Sequence, residues 1–242
     1  MILPPAAADR RYSARTHVGL VRSVNEDSVL AIPELGIWVV SDGMGGHAGG
    51  DFASQSVTEA LAMIPLDLDP ASTMHAARDA LHAAHLNIRE EAARQGGATI
   101  GATAVVLVLA GEHFVCLWVG DSRLYRLRGG RVEMLSSDHS VVGEMVEEGR
   151  LTWAEAELHP QANQITRAVG VGEELMIDKR RGDVLPGDRF LLCSDGLTKY
   201  AGEPTLEHFL VNSPIETVAD GLLQVALDGG GADNISVVVV ET

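Results

Sequence analysis

The chain has 242 residues, 46% hydrophobic and 21% charged, a composition that gives a folded domain enough apolar side chains for a sizeable core and excludes a disordered acidic tail. Its 34 acidic residues against 18 basic ones leave a formal net charge of −16, which excludes broad electrostatic binding to nucleic acid or to an anionic membrane surface.

Residues 1–12 read as a flexible leader: no basic residue precedes an apolar run, and Pro4 and Pro5 interrupt what could have been a signal-peptide core. Short β-branched runs at 36–40, 103–109, 114–119, 189–193 and 235–240 predict buried strands, and an apolar segment at 29–32 follows an acidic stretch. Between them, apolar stripes at helical spacing predict helices over 52–64 and 72–95, the second ended by Gly96-Gly97. The Gly129-Gly130 pair inside 123–135 predicts an antiparallel hairpin. Residues 141–164 carry few large apolar side chains and a capping box at Thr152 to Glu155, so they read as a surface flap. A second capping box, Ser213 to Glu216, predicts the start of a helix whose apolar face includes Val218, Leu222 and Ala226. No linker or repeat divides the chain, so we expect one domain over residues 1–242. The longest apolar run, 102–110, is about half of what a membrane span requires. Cys116 and Cys193 lie in apolar runs and read as buried free thiols, His75, His82 and His85 as surface residues of the second helix, and Trp38 and Trp118 as core.

Three predicted strands finish at an aspartate: Asp42-Gly43, Asp121-Ser122 and Asp195-Gly196; a fourth, Asp233, precedes the strand at 235. Asp-Gly alone is an ordinary turn dipeptide, but the recurrence at strand ends suggests convergence. Carboxylates ~5 Å apart repel by about 3 kcal/mol at an effective dielectric of ~20, so a cation belongs between them. The all-oxygen donor set favours Mg²⁺ or Mn²⁺.

The ordered set of Arg22 to Asp27, Asp42-Gly-Met-Gly-Gly-His47, Gly120-Asp-Ser-Arg123, Ser137-Asp-His-Ser140, Ile165-Thr-Arg-Ala-Val-Gly170, Cys193-Ser-Asp-Gly196 and Asp233-Asn-Ile-Ser236 resembles the bacterial type 2C metal-dependent (PPM) serine/threonine protein phosphatases, over Thr16 to Val240. The resemblance implies an α/β (α+β) fold, a central β-sandwich flanked by helix pairs on both faces (αββα). It also implies hydrolysis of phosphoserine and phosphothreonine by a water acidified between two ions, Mn²⁺ or Mg²⁺. Carried over by position, Asp42 bridges both ions, the Gly43 carbonyl and the Glu26-Asp27 pair serve one, with the direct ligand of that pair left open, and Asp195 and Asp233 serve the other. Five carboxylates then balance two dications and Arg22, which is expected to grip the substrate phosphate. His47 is the candidate acid for the leaving alkoxide. Asp121 is a candidate ligand of a third ion, which Lys199, four residues beyond Asp195, should weaken.

Two rivals are weaker. Residues 43–48 satisfy G-x-G-x-x-A, yet a dinucleotide site would place Asp42 beside a pyrophosphate, and 65–70 offers no second strand. A non-catalytic phosphoprotein-binding relative should have lost a metal-site acid, whereas every matching position is acidic. The expected partners are phosphoprotein substrates and a cognate serine/threonine kinase pathway, with no nucleic acid and no membrane. A cytoplasmic monomer is expected, and its compactness resembles stand-alone members associated with type VI secretion.

Overall fold

The structure, a computed structural model, describes residues 10–45, 49–156 and 158–242. The strands are β1 (Tyr12–His17), β2 (Asp27–Ile32), β3 (Ile37–Met44), β4 (Gly101–Ala102), β5 (Ala104–Ala110), β6 (His113–Val119), β7 (Arg123–Arg128), β8 (Arg131–Met134), β9 (Asp178–Asp183), β10 (Arg189–Cys193) and β11 (Ile235–Glu241). The helices are α1 (Gly49–Ala62), α2 (Pro70–Arg94), α3 (Val141–Glu147), α4 (Trp153–Ala156), α5 (Asp195–Thr198), α6 (Glu203–Asn212) and α7 (Ile215–Asp228). One antiparallel sheet runs β1-β11-β10-β7-β8; the other runs β2-β3-β5-β6-β9, with β4 paired to β3.

Side chains alternate across a strand, and this period of two builds three apolar layers. Trp38, Val40, Val105, Leu107, Phe190 and Val238 fill the space between the sheets. Val39, Val106 and Val108 point the other way, onto α1 and α2 through Val57, Leu61, Leu81 and Ile88. Val237 and Val239, with Leu191, point outward onto α6 and α7 through Leu206, Leu210, Val218 and Leu222. The result is the expected sandwich between helix layers. Both tryptophans named above are core, and both cysteines are buried free thiols. Among the described residues no helix is long and apolar enough to cross a membrane.

Several expectations need correction. Residues 1–9 of the leader lie outside the described residues, but its end is held: the Arg10 guanidinium donates to the Leu109 carbonyl at 2.8 Å, and Tyr12 opens β1, paired to Val240. The second helix begins at Pro70, two residues before Ser72, because the Asp69 carboxylate accepts the N–H groups of Ala71 and Ser72. The Ser213 capping box does not form. The Ser213 N–H closes α6 by donating to the Phe209 carbonyl, and the first turn of α7 donates from Thr217 and Val218 to the Pro214 carbonyl instead. The box at Thr152 does form, with Thr152 N–H donating to Glu155 Oε2 at 2.8 Å. His85 is buried and not on the surface; its Nδ1 accepts the Gly170 N–H at 2.9 Å. Strands β1 and β9, and helix α6, have no counterpart among the sequence-based expectations.

Candidate active site

The acidic residues gather where the ends of the two sheets meet. Asp27 and Asp42 are register partners across β2 and β3, which places their Cβ atoms roughly 5 Å apart on one face. Asp195 opens α5 directly after β10, and Asp233 stands two residues before β11. Asp121 follows β6 through Gly120, whose φ of 101° lies in the left-handed region that a side chain would resist.

Backbone bonds fix these positions. The Asp42 N–H donates to Thr103 Oγ1 at 2.9 Å, the Thr103 N–H donates to the Asp42 carbonyl at 2.8 Å, and Thr103 Oγ1 shares a hydrogen bond of 2.7 Å with Ser122. Gly43 admits α1 closely: a Cβ there would run into the Gly50 carbonyl. Ser194 Oγ donates to Asp27 Oδ2 at 2.8 Å while accepting the Ser236 N–H, tying the first sheet to the carboxylate of the second. The Asn234 side chain is the other tie. Its Oδ1 accepts the Glu26 N–H at 2.8 Å, and its Nδ2 donates to the Val18 and Val24 carbonyls, both at 2.9 Å. Thr103, Ser194 and Asn234 were not singled out by sequence reasoning; the last two sit inside the quoted motifs, and their neighbours' acids drew the attention. Asn234→Ala should loosen the 18–26 loop with Arg22 on it. We expect KM for a phosphopeptide to rise more than kcat falls, with about 1–3 kcal/mol of stability lost as the Glu26 N–H and the Val18 and Val24 carbonyls lose their partner, read by steady-state kinetics and urea unfolding.

Desolvation dominates the electrostatics. Burial first, and then Asp195 and Asp233, push the Asp27 carboxyl up to about 7 against the opposing hydrogen bonds from Ser236 and Ser194. Burial raises Asp42 well above the usual carboxylate range, with Asp27, Asp195 and Asp121 adding to it. Asp121 rises to about 8, again from burial and then Asp195. Glu26 is also raised by burial. Asp233 is the exception: burial would raise it, but bonds from Lys199 and Arg22 outweigh that and hold it below the usual range. Arg22 Nε lies 2.9 Å from Asp233 Oδ1, and Lys199 Nζ lies 2.8 Å from Asp195 Oδ2 and 2.9 Å from Asp233 Oδ2.

Asp27, Asp42, Asp121, Asp195 and Asp233 therefore interact as one acidic cluster, with Arg22 and Glu26 at its edge and Gly43 next to Asp42 in the chain; His47 lies outside the described residues. Two oxygens test whether the cleft suits a hard cation. Asp27 Oδ1 and Asp195 Oδ1 are buried without a hydrogen-bond partner among the described residues, an arrangement that costs free energy unless a cation answers it. Among the described residues no three His, Cys, Asp or Glu side chains form a ready-made cage around one point. Lys199 and Arg22 occupy the space beside Asp195 and Asp233. The donor set fits a hard dication, with closure of the cage left to the ion's own attraction.

His139 has a defined place beside this cleft. Its Nδ1 accepts the Gly120 N–H at 3.1 Å and its Nε2 faces Asp178 at 3.1 Å, with the ring stacked on Trp118. On another side Trp153 of α4 lies 4.4 Å from the Arg123 guanidinium, itself paired with Asp138 at 2.7 Å.

Comparison with known proteins identifies the family and the fold. The family model described as protein phosphatase 2C matches residues 21–229. The chain is 39% identical over 236 residues to the serine/threonine protein phosphatase PstP of Mycobacterium tuberculosis, an alignment that covers 96% of this chain but only 45% of PstP, so the chain spans about half the length of that relative. Among solved structures, PppA, described as a key regulatory component of T6SS in Pseudomonas aeruginosa, superposes with a TM-score of 0.89 at 44% identity, covering 96% of this chain and 97% of that one. A PstP catalytic domain in complex with two manganese ions superposes with a TM-score of 0.87 at 36% identity, covering 96% and 97%. This chain belongs to the protein phosphatase 2C family.

Proposed function

We propose that this chain is a metal-dependent serine/threonine protein phosphatase, and that the two buried carboxylate oxygens of the acidic cluster, Asp27 Oδ1 and Asp195 Oδ1, without a hydrogen-bond partner among the described residues, carry the reading. Asp42, Asp27, Glu26 and the Gly43 carbonyl would hold one hard dication, and Asp42, Asp195 and Asp233 the other. The manganese pair of the PstP catalytic domain supports Mn²⁺, with Mg²⁺ the alternative of like hardness. When bound, such a pair supplies Lewis acidity toward phosphate oxygens and a water acid enough to attack phosphorus at neutral pH.

The chain's own side chains do the rest. Arg22, 55% exposed at the cleft edge, grips two phosphate oxygens with its planar fork, and Asp233 aims the guanidinium. Attack forms one P–O bond as the ester P–O bond opposite it breaks, and the departing seryl or threonyl oxygen takes a proton, which we assign to His47 on its place in the sequence. Asp121 would serve only a weak third ion. The flap at 141–164 shapes substrate choice. The substrates are phosphoproteins of a serine/threonine kinase pathway, and the likeness to PppA supports a place beside type VI secretion. A cytoplasmic monomer is the setting we propose.

The test is Mn²⁺-dependent release of phosphate from para-nitrophenyl phosphate and from a phosphothreonine peptide. Dephosphorylation that is complete in chelator would overturn the reading. Binding of phosphopeptide without turnover at saturating Mn²⁺ would favour a pseudophosphatase instead. His47→Ala with an unchanged rate and pH profile would remove that residue from the chemistry.

A further inference from the structure

The two halves of the cleft are not electrostatically alike. On the Asp27/Asp42 side the carboxylates face one another across a register pair, and among the described residues no lysine or arginine is bonded to either; a buried oxygen without a partner among those residues occurs on both sides, at Asp27 Oδ1 and Asp195 Oδ1. On the other side both oxygens of Asp233 are engaged by cations, Oδ1 by Arg22 and Oδ2 by Lys199, and the same ammonium reaches Asp195 Oδ2. Lys199 caps the single turn of α5, so its spacing of four from Asp195 follows from helix geometry. Glu26, Asp27, Asp42, Asp121 and Asp138 are the other acidic groups bordering this half, and Arg123, paired with Asp138, is a further cation there.

Resting on the metal-site reading above, we propose that Lys199 is a tethered counter-ion: its ammonium neutralises the Asp195/Asp233 half of the cleft before metal arrives and must be displaced when a dication binds there. Two consequences follow from charge alone. The two halves load unequally, because an ion arriving beside Asp27 and Asp42 meets unopposed carboxylates, whereas one arriving beside Asp195 and Asp233 competes with a cation fixed to the chain. The ammonium also keeps part of the acidic cluster neutral in the metal-free fold.

The structure provides a route for displacement. A cavity of about 120 Å³ borders Lys199, lined also by Asp121, Asp138, Asp195 and Trp153. The lysine side chain is 30% exposed and its stem is unbranched, so it can swing into this cavity and withdraw its ammonium from both carboxylates, leaving Asp233 paired with Arg22 alone. Asp121 waits there as an alternative partner.

The experiment is Mn²⁺ titration by calorimetry of metal-stripped wild type, Lys199→Met and Lys199→Arg, with thermal unfolding of each in chelator. Wild type is expected to bind two ions in separable steps. Lys199→Met should tighten the weaker step by about 10-fold, equivalent to about 1.4 kcal/mol, leave the tighter step within about 2-fold, and lower the melting temperature of the metal-free protein. Lys199→Arg should retain most of the metal-free stability and keep the weaker step weak. An unchanged weaker step in Lys199→Met, or a metal-free protein no less stable without the ammonium, overturns the counter-ion role while two-ion binding still upholds the metal site. Absence of Mn²⁺ binding in all three proteins overturns both.

Discussion

Asp42→Asn is expected to be a better fold and a failed enzyme. The carboxylate sits opposite Asp27 on β2 and β3, and burial and neighbouring aspartates press it toward its neutral form. Asparagine has the same shape and leaves the backbone bonds between Asp42 and Thr103 intact. Relief of that repulsion, about 3 kcal/mol for a fully ionised pair ~5 Å apart at an effective dielectric of ~20, should raise the melting temperature of the metal-free protein by several degrees. Activity should move the other way by about 10³-fold or more, because the residue proposed to join both ions no longer carries charge and Lewis-acid assistance is worth several kcal/mol. Thermal unfolding in chelator and hydrolysis of para-nitrophenyl phosphate in Mn²⁺ measure the two. A metal-free variant that melts below wild type would show that the carboxylate is satisfied by the protein itself.

The second large effect is a pH dependence that metal inverts. Asp27 rises to about 7 and Asp121 to about 8 in the folded chain, against 3.8 for a free aspartate. Between roughly pH 4 and 8 the folded, metal-free chain therefore binds more protons than the unfolded one, and stability falls as pH rises through that window. Asp233, held below the usual range, has the opposite sign, but its contribution is lost only at pH below the carboxylate range. His85 and His139 are lowered by burial and add stability as pH rises toward the imidazole range. The difference between wild type and Asp27→Asn cancels them. In chelator, the advantage of Asp27→Asn in melting temperature should grow from pH 5 to pH 8. Saturating Mn²⁺ should reverse the wild-type trend, because the ions bind ionised carboxylates and compete with protons. An advantage that stays constant across that range would mean the carboxyl is not shifted.

Much of the fold was legible in the sequence because its central strands are apolar on both faces. Runs such as 103–109 and 235–240 serve the inter-sheet core with alternate residues and a helix layer with the others, so their composition announces them. The edge strands do not. β1 and β9, reading YSARTH and DKRRGD, hold their places through backbone pairing to β11 and β6, and their charged side chains suit an exposed sheet edge. Local signals misled where a neighbouring element claimed the same residue: Ser213 looks like a cap for α7 but closes α6, and His85 lies on a helix yet faces the buried Gly170 loop.

The sequence by itself determined which acids are present and that they stand at strand ends, since an apolar run stopping at Asp-Gly is a local pattern. Only the tertiary structure decided their electrostatic state. Glu26 is held by Asn234, Asp27 by Ser194, and Asp195 shares one ammonium with Asp233, partners between 4 and 208 positions apart in the chain. Those pairings exist because two sheets bring their ends together and remove water from between them, and neither desolvation nor convergence is a property of any single stretch of residues.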